Sequence, residues 1–462
     1  MSVSLFIPFL LFQKRTKIIS MIYLFIIYVP SFINLSHILI FNSEISSCSF
    51  MTMFETNFQE AMEFFKHFCS KKLIINTITF WSFPIISLMF FSATTINIAK
   101  YKKYLITFFI ITYGVFSFGD PRYKFPFEKL AWNYIEYEID EFRNKNLLES
   151  RHNLKFSDIK SSIPKSSPET YVVVIGESVN KEHMGIYGSK NKTTPNFDKI
   201  KDELKIFSNS RSSHCHTQKA LKGALCFNED FKNGDIITFF KQAGFKTFWF
   251  SNQYTSGNCD NLISMIGSLA DSKEFINKSH YRTKLSSNFD EKLVDYFAKA
   301  LKDPANKKII FIHLLGSHLP YSKRYPGEFE VIKSKTSTTH SLEVAQYDNS
   351  ILYTDYVLNK VLGGLKALNT NSYLLYFSDH GEDVTEDPNS SHSHVSSLST
   401  PEMFDIPLIV WSSPKYRELN SKFINNWDTS KSYKTKDMIH SIINLSRLES
   451  SEYNKRKSIF ER

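Results

Sequence analysis

The chain has 462 residues, 42 of them Phe, with 56 Lys and Arg against 46 Asp and Glu for a formal charge of +10. That length holds two or three domains with ample core. The excess is spread, +4 over the first 120 residues and +6 over the rest, so no basic stripe with interleaved aromatics marks a nucleic-acid binder; basic membrane flanks and a solvated surface account for it, and an anionic lipid surface fits it equally.

A negative mean hydropathy hides a split between an apolar first quarter and a remainder patterned like a soluble protein. Residues 3–12 are too short to span a bilayer and no small-residue cleavage site follows them, so they read as an interfacial or signal-like stub. Residues 18–42 hold no charge and are long enough to cross; 73–98 and 104–119 give a second and a shorter third span. Basic clusters at Lys14, Arg15 and Lys17 and at Lys100, Lys102 and Lys103 assign those flanks to the cytoplasm, leaving loop 43–72 and everything after 120 outside. Residues 126–142 carry Leu130, Tyr134, Ile135, Ile139 and Phe142 near helical spacing, an amphipathic interfacial helix or an ordinary surface one. The polar stretch 161–170, with two prolines, reads as the linker into a sheet. The resulting division is 1–120 membrane domain, 121–165 interfacial helix and linker, and 166–462 catalytic domain. All five cysteines (Cys48, Cys69, Cys215, Cys226, Cys259) then face an oxidising compartment where pairing is expected, with a connectivity that spacing does not reveal.

Four apolar runs follow: 171–178 (YVVVIGES), 246–253 (KTFWFSNQ), 307–318 (KKIIFIHLLGSH) and 371–382 (NSYLLYFSDHGE). Continuous Val, Ile, Leu and Phe predict buried parallel strands of an α/β sheet, whose ligands bind beyond the strand carboxyl ends. Glu177, Asp379 and His380 are therefore expected on one sheet edge, two carboxylates and an imidazole suited to a divalent metal, zinc first among them. Residues 218–225 suit a helix with Thr217 at its N-terminus, where backbone N–H groups favour a phosphorylated group. Thr217 is then either a nucleophile or simply an N-cap, and Ser178 competes with it as nucleophile. Asn252 and Gln253, on the same edge, could orient substrate or hold a loop.

These segments, together with GESVNKEHMGIYGSKNKTTPNFDKI (176–200), SSHCHTQKALKGALCF (212–227), FIHLLGSHLPY (311–321), YDNSILYTDYVL (347–358) and FSDHGED (377–383), resemble the membrane-anchored phosphoethanolamine transferases of Gram-negative bacteria, within the alkaline phosphatase/sulfatase superfamily. The resemblance runs in order from about residue 18 to about 415 and implies an α/β/α domain with a mostly parallel central sheet behind N-terminal transmembrane helices. It implies Thr217 as the nucleophile that becomes phosphoethanolamine-modified, with Glu177, Thr217, Asp379 and His380 binding Zn2+. It implies His318, and His394 or His392, as substrate-side histidines; a second zinc stays open. A Cys215–Cys226 disulfide is a further expectation. The implied donor is phosphatidylethanolamine, and the acceptor is lipopolysaccharide (lipid A or core sugar) or another envelope component. The implied setting is the bacterial inner membrane, with the catalytic domain in the periplasm among membrane lipids. The family commonly has five spans where three are found here.

Three other readings are weighed against this one. A sulfatase needs a Cys or Ser with Pro and Arg after it, and Cys215-His216-Thr217-Gln218-Lys219 has neither. A phosphoglycerol transferase shares the core with a different lipid headgroup. An inactive membrane-anchored binding protein requires an incomplete metal set, whereas all four positions are filled.

Overall fold

The computed structural model describes residues 154–164, 167–255, 262–278, 288–336, 338–384 and 400–461, with parts of the first 142, chiefly 28–39, 71–90 and 130–135. The chain falls into two compact units, Met1–Thr56 with Ala61–Phe142, and Asn57–Glu60 with Arg143–Arg462.

In the first unit, a helix over 28–39 packs against the helix Lys71–Phe90 through aromatic rings, Tyr28 on Phe80 at 5.2 Å and Phe32 on Trp81 at 5.6 Å between centroids. Among the described residues no helix is long and apolar enough to cross a membrane. Most of the first and third expected spans, part of the second, the stub 3–12, and Cys48, Cys69 and Cys259 lie outside the described residues. Residues 130–135 are helical, and Trp132, Tyr134, Ile135, Ile139 and Phe142 are exposed.

The second unit is built on seven strands: β1 (Glu169–Gly176), β2 (Leu204–Ile206), β3 (Lys246–Thr255), β4 (Ser272–Lys278), β5 (Lys307–His313), β6 (Asn371–Ser378) and β7 (Leu408–Ser412). Their order across the sheet is β2-β7-β6-β1-β5-β3-β4. The sheet is mixed: β6, β1, β5, β3 and β4 run parallel, while β7 is antiparallel to β6 and to β2. The central strands are rich in β-branched, aromatic and Leu side chains buried on both faces, as strands covered by helices on both sides must be.

Side-chain alternation splits the core in two. Tyr171, Val173, Ile175, Ile309, Phe311, Leu375 and Phe377 face the helices α1 (Thr217–Leu225), α2 (Ile236–Gln242), α3 (Leu262–Ser268) and α6 (Met438–Leu445). Val172, Val174, Ile310, Ile312, Leu374 and Tyr376 face α4 (Lys292–Leu301) and the long α5 (Thr339–Lys366). The same alternation carries Glu177 and Asp379 onto the α1 side, two residues past Ile175 and Phe377. Register does the rest, because Gly176 pairs with Ser378 and Ile175 with both Phe377 and His313.

Two glycines give opposite expectations. A Cβ on Gly381 would lie 2.5 Å from the Glu402 carbonyl and 2.9 Å from that of Asp405, backbone atoms that cannot swing aside. Gly381→Ala should therefore lower stability by about 1–3 kcal/mol. Gly363, exposed in α5 with open space around it, should as Ala raise stability by roughly 0.4–1 kcal/mol by restricting the unfolded chain. Denaturant midpoints of the two variants should shift in opposite directions.

Candidate active site

Glu177, Asp379 and His380 lie together at the carboxyl ends of β1 and β6, each buried, with one ligand atom apiece all within 4.8 Å of one another. His380 Nε2 is 3.3 Å from Glu177 Oε1 and 3.5 Å from Asp379 Oδ2. His380 Nδ1 is 2.7 Å from the Gly381 carbonyl, which can only accept, so Nδ1 carries the proton and Nε2 is the nitrogen turned to the carboxylates. That is how a metal-binding histidine is oriented by its surroundings.

Thr217 is the first residue of α1, and the N-cap is His216, which makes no side-chain capping bond. The Thr217 hydroxyl is therefore not a cap. It faces the carboxylates, 3.2 Å from Glu177 Oε2, 3.4 Å from Oε1 and 3.4 Å from His380 Nε2. The hydroxyl proton is within reach of both oxygens of the Glu177 carboxylate. The loop before α1 is tied to the same edge by Ser212, whose hydroxyl lies 2.6 Å from the Asp379 carbonyl, and to the turn before α6 by Ser213 N, which donates to Thr435 Oγ1 at 3.1 Å.

Charge balance in this cluster is unfavourable without a cation. Burial drives Glu177 up, but the hydrogen bond and charge of His380, the charge of His318 and the Ser178 hydroxyl hold it below its ordinary value. Burial, then the charge of Glu177, push Asp379 up, with His380 opposing. His380 is held well above the usual imidazole range, since Asp379 and Glu177 outweigh its burial. Asp379 Oδ2 is buried with no hydrogen-bond partner, which a coordinated cation would supply. Two carboxylates, one imidazole nitrogen and a hydroxyl form a donor set that suits a divalent metal such as zinc.

Ser178 is fully buried, and its hydroxyl donates to Glu177 Oε1 at 2.8 Å, so it supports that carboxylate and does not stand ready as a nucleophile. Gln253 Nε2 donates to Glu177 Oε2 at 3.1 Å and to the Leu314 carbonyl at 2.8 Å. Asn252 has the loop-holding contacts that were one of its two expected roles. It is fully buried, its amide donating to the Asn288 carbonyl at 2.9 Å and to Asp290 Oδ1 at 2.8 Å, while Asn277 Nδ2 donates to its Oδ1 at 2.7 Å. Asn252 points to the opposite face from Gln253 and holds a loop. Asp290 in turn accepts from Leu315 N and Gly316 N, both at 2.9 Å, which fixes the segment leading to His318.

His318 is close enough to Glu177 for its charge to be felt there. Its Nδ1 is 2.7 Å from the Leu319 carbonyl and its own carbonyl accepts from Arg324 Nε at 2.8 Å. His392 and His394 lie outside the described residues. His313, which the motif reading passed over, ends β5 with Nε2 buried and unbonded, and burial lowers it to about 4. Its signal in the sequence was a lone polar residue at the end of an apolar run.

Cys215 and Cys226 are both buried but are not joined to each other, contrary to expectation. They flank the nine-residue α1, about 13 Å of helix axis, whereas a disulfide spans Cα atoms no more than roughly 7 Å apart.

Comparison with known proteins gives the family and the fold. A family model described as Sulfatase matches residues 169–446, from the start of β1 to just past α6. Phosphoethanolamine transferase EptC of Escherichia coli (strain K12) is 29% identical over 98% of this chain and 84% of its own length. The crystal structure of the C-terminal periplasmic domain of EptC from Escherichia coli, a complex with Zn, matches with a TM-score of 0.62 at 29% identity, covering 67% of this chain and 90% of that one. The integral membrane protein lipooligosaccharide phosphoethanolamine transferase A from Neisseria meningitidis shares the fold, with a TM-score of 0.70 at 17% identity over 99% of this chain and 92% of that one. The motif resemblance thus meets relatives of the kind it pointed to, on an alkaline-phosphatase-like α/β domain. With well over half its length matched by the family model, the chain belongs to the sulfatase family.

Proposed function

We propose that this protein is a phosphoethanolamine transferase, held in the bacterial inner membrane by its first 120 residues, with residues 166–462 as a periplasmic catalytic domain. It takes phosphoethanolamine from phosphatidylethanolamine onto Thr217 and passes it to lipopolysaccharide, on lipid A or a core sugar. The observation that carries this reading is the Thr217 hydroxyl, at the first turn of a helix and 3.2 Å from a buried carboxylate of a metal-type cluster. The names of the relatives supply the transferred group, and the Zn complex of the Escherichia coli domain supports zinc as the metal.

Glu177, Asp379, His380 and Thr217 would hold the zinc, which when bound lowers the pKa of the Thr217 hydroxyl and polarises the donor phosphate. Thr217 Oγ1, with Glu177 in reach of its proton, attacks phosphorus; a P–O bond to diacylglycerol breaks, and the departing oxygen takes up a proton. His318, oriented by the Leu319 carbonyl, is the substrate-side group for that proton, with His394 or His392 as a second. The N-terminus of α1 favours the charge on the phosphorylated intermediate. An acceptor oxygen then attacks the same phosphorus, and Thr217 leaves with its proton restored. A lipid donor has to be met at a bilayer surface, and this accounts for an anchor.

Thr217→Ala should leave the fold intact and cut transfer by about a thousand-fold or more; undiminished modification of the acceptor by this variant would remove Thr217 as nucleophile. Chelator-treated protein should lose activity and regain it with zinc, and full activity after metal removal would count against the metal centre. Mass spectrometry of lipid A and core, from cells with and without the gene, should show a phosphoethanolamine increment lost from one fraction. An unchanged lipopolysaccharide would exclude it as the acceptor.

A further inference from the structure

Glu177 is held at both carboxylate oxygens by neutral donors that do not belong to the metal-type cluster. Ser178 Oγ donates to Oε1 at 2.8 Å and Gln253 Nε2 donates to Oε2 at 3.1 Å. The Gln253 amide is itself fixed, since the same nitrogen donates to the Leu314 carbonyl at 2.8 Å and Leu314 N donates to the Ile175 carbonyl at 2.9 Å. A closed path runs from β1 through the loop after β5 to the end of β3 and back to Glu177.

Ser178 is tied in as firmly. Its φ of +59° lies in the left-handed region, where a residue with a Cβ is strained, and such strain persists at functional sites when the surroundings enforce it. Its backbone N donates to Asp379 Oδ1 at 3.1 Å and its carbonyl accepts the Tyr347 hydroxyl at 2.7 Å. One strained residue thus orients both carboxylates, one with its side chain and the other with its backbone. Gly316, at φ +50°, lets the neighbouring loop close on Glu177, where a Cβ would come within 2.9 Å of the Glu177 carbonyl oxygen.

We propose that Gln253 and Ser178 are positioning residues that fix the Glu177 carboxylate so that its remaining lone pairs meet a divalent metal shared with Asp379 and His380. This rests on the reading of Glu177 as a metal ligand. A carboxylate able to turn about its last bond offers one or two oxygens in varying directions; two hydrogen bonds, one to each oxygen, select one orientation. Because an amide and a hydroxyl are neutral, they do so without cancelling the negative charge that attracts the metal, as a Lys or Arg there would. Groups that orient a ligand in this way commonly affect metal affinity by about 10- to 100-fold.

The test uses the purified full chain, stripped of metal, as wild type, Gln253→Met, Ser178→Ala and Glu177→Gln. Zinc affinity is measured by competition with a chromophoric chelator, with cobalt(II) absorption as a spectroscopic check on ligand geometry. Both positioning variants should bind zinc about 10- to 100-fold more weakly and shift the cobalt spectrum. Their metal-free forms should keep the wild-type far-UV circular dichroism, and kcat for transfer should fall with the donor KM unchanged. Wild-type zinc affinity in both variants overturns the positioning role while leaving the metal site in place. A raised donor KM with zinc affinity intact overturns it too, making Gln253 a substrate contact. If the wild type takes up no zinc, or Glu177→Gln binds it as tightly as wild type, the metal reading of Glu177 fails and the proposal with it. The two positions lie in different segments, Ser178 just past β1 and Gln253 in β3, so a misfolded protein at one position leaves the other to decide.

Discussion

Two buried carboxylates, Glu177 and Asp379, stand side by side at the end of adjacent parallel strands with one imidazole between them. Like charges about 4 Å apart repel by on the order of 4 kcal/mol at the effective dielectric of such a site. The protein answers with the charge of His380, with the Ser178 hydroxyl, and with a donor set ready for a cation. Much of the surrounding structure makes sense as what holds this repulsive pair in place. The β1–β6 register brings the two carboxylates level, the Leu314–Ser317 loop closes over the Glu177 backbone, and Ser212 ties the loop before α1 to Asp379.

The sheet is the reason this arrangement can persist. A cluster of repelling groups on a mobile loop would relax by moving apart. Here β1 and β6 are buried along their whole lengths and β5 from Lys308 onward, with apolar layers on both faces. The strand ends therefore cannot spread without disrupting the core. Thr217 is delivered to the cluster by a different means, a helix whose buried face (Ala220, Leu221, Ala224, Leu225) packs on the α1 side of the sheet. Its hydroxyl arrives at the metal-type cluster because the helix begins there, and the loop before it is anchored by Ser212 and Ser213.

Ser178 and Gln253 show how much of such a site lies in supporting groups. From the chain alone Ser178 competed as a nucleophile, because it follows a glycine at a strand end. Its left-handed backbone turns the hydroxyl onto Glu177 instead. Asn252 and Gln253 looked interchangeable on the sheet edge. Alternation places them on opposite faces, one against Asp290 and the other against Glu177.

What the sequence determined by itself was everything encoded in local composition. Buried parallel strands announce themselves as unbroken apolar runs, and their polar ends put Glu177, Asp379 and His380 on one edge before any coordinates. The start of a helix at Thr217 was equally legible, because 218–225 holds residues that favour helix and follows a loop-forming stretch. Only the tertiary structure decided which face each strand end presents, since both faces are apolar as far as Phe250 and nothing in the run distinguishes them. It also decided that Thr217 points at the carboxylates instead of capping its helix, that Cys215 and Cys226 are held apart by α1, and that β7 and β2 turn the sheet mixed. Those outcomes depend on register and direction between segments far apart in the chain. Each such pairing is fixed by packing across the whole core, and no local stretch of sequence carries it.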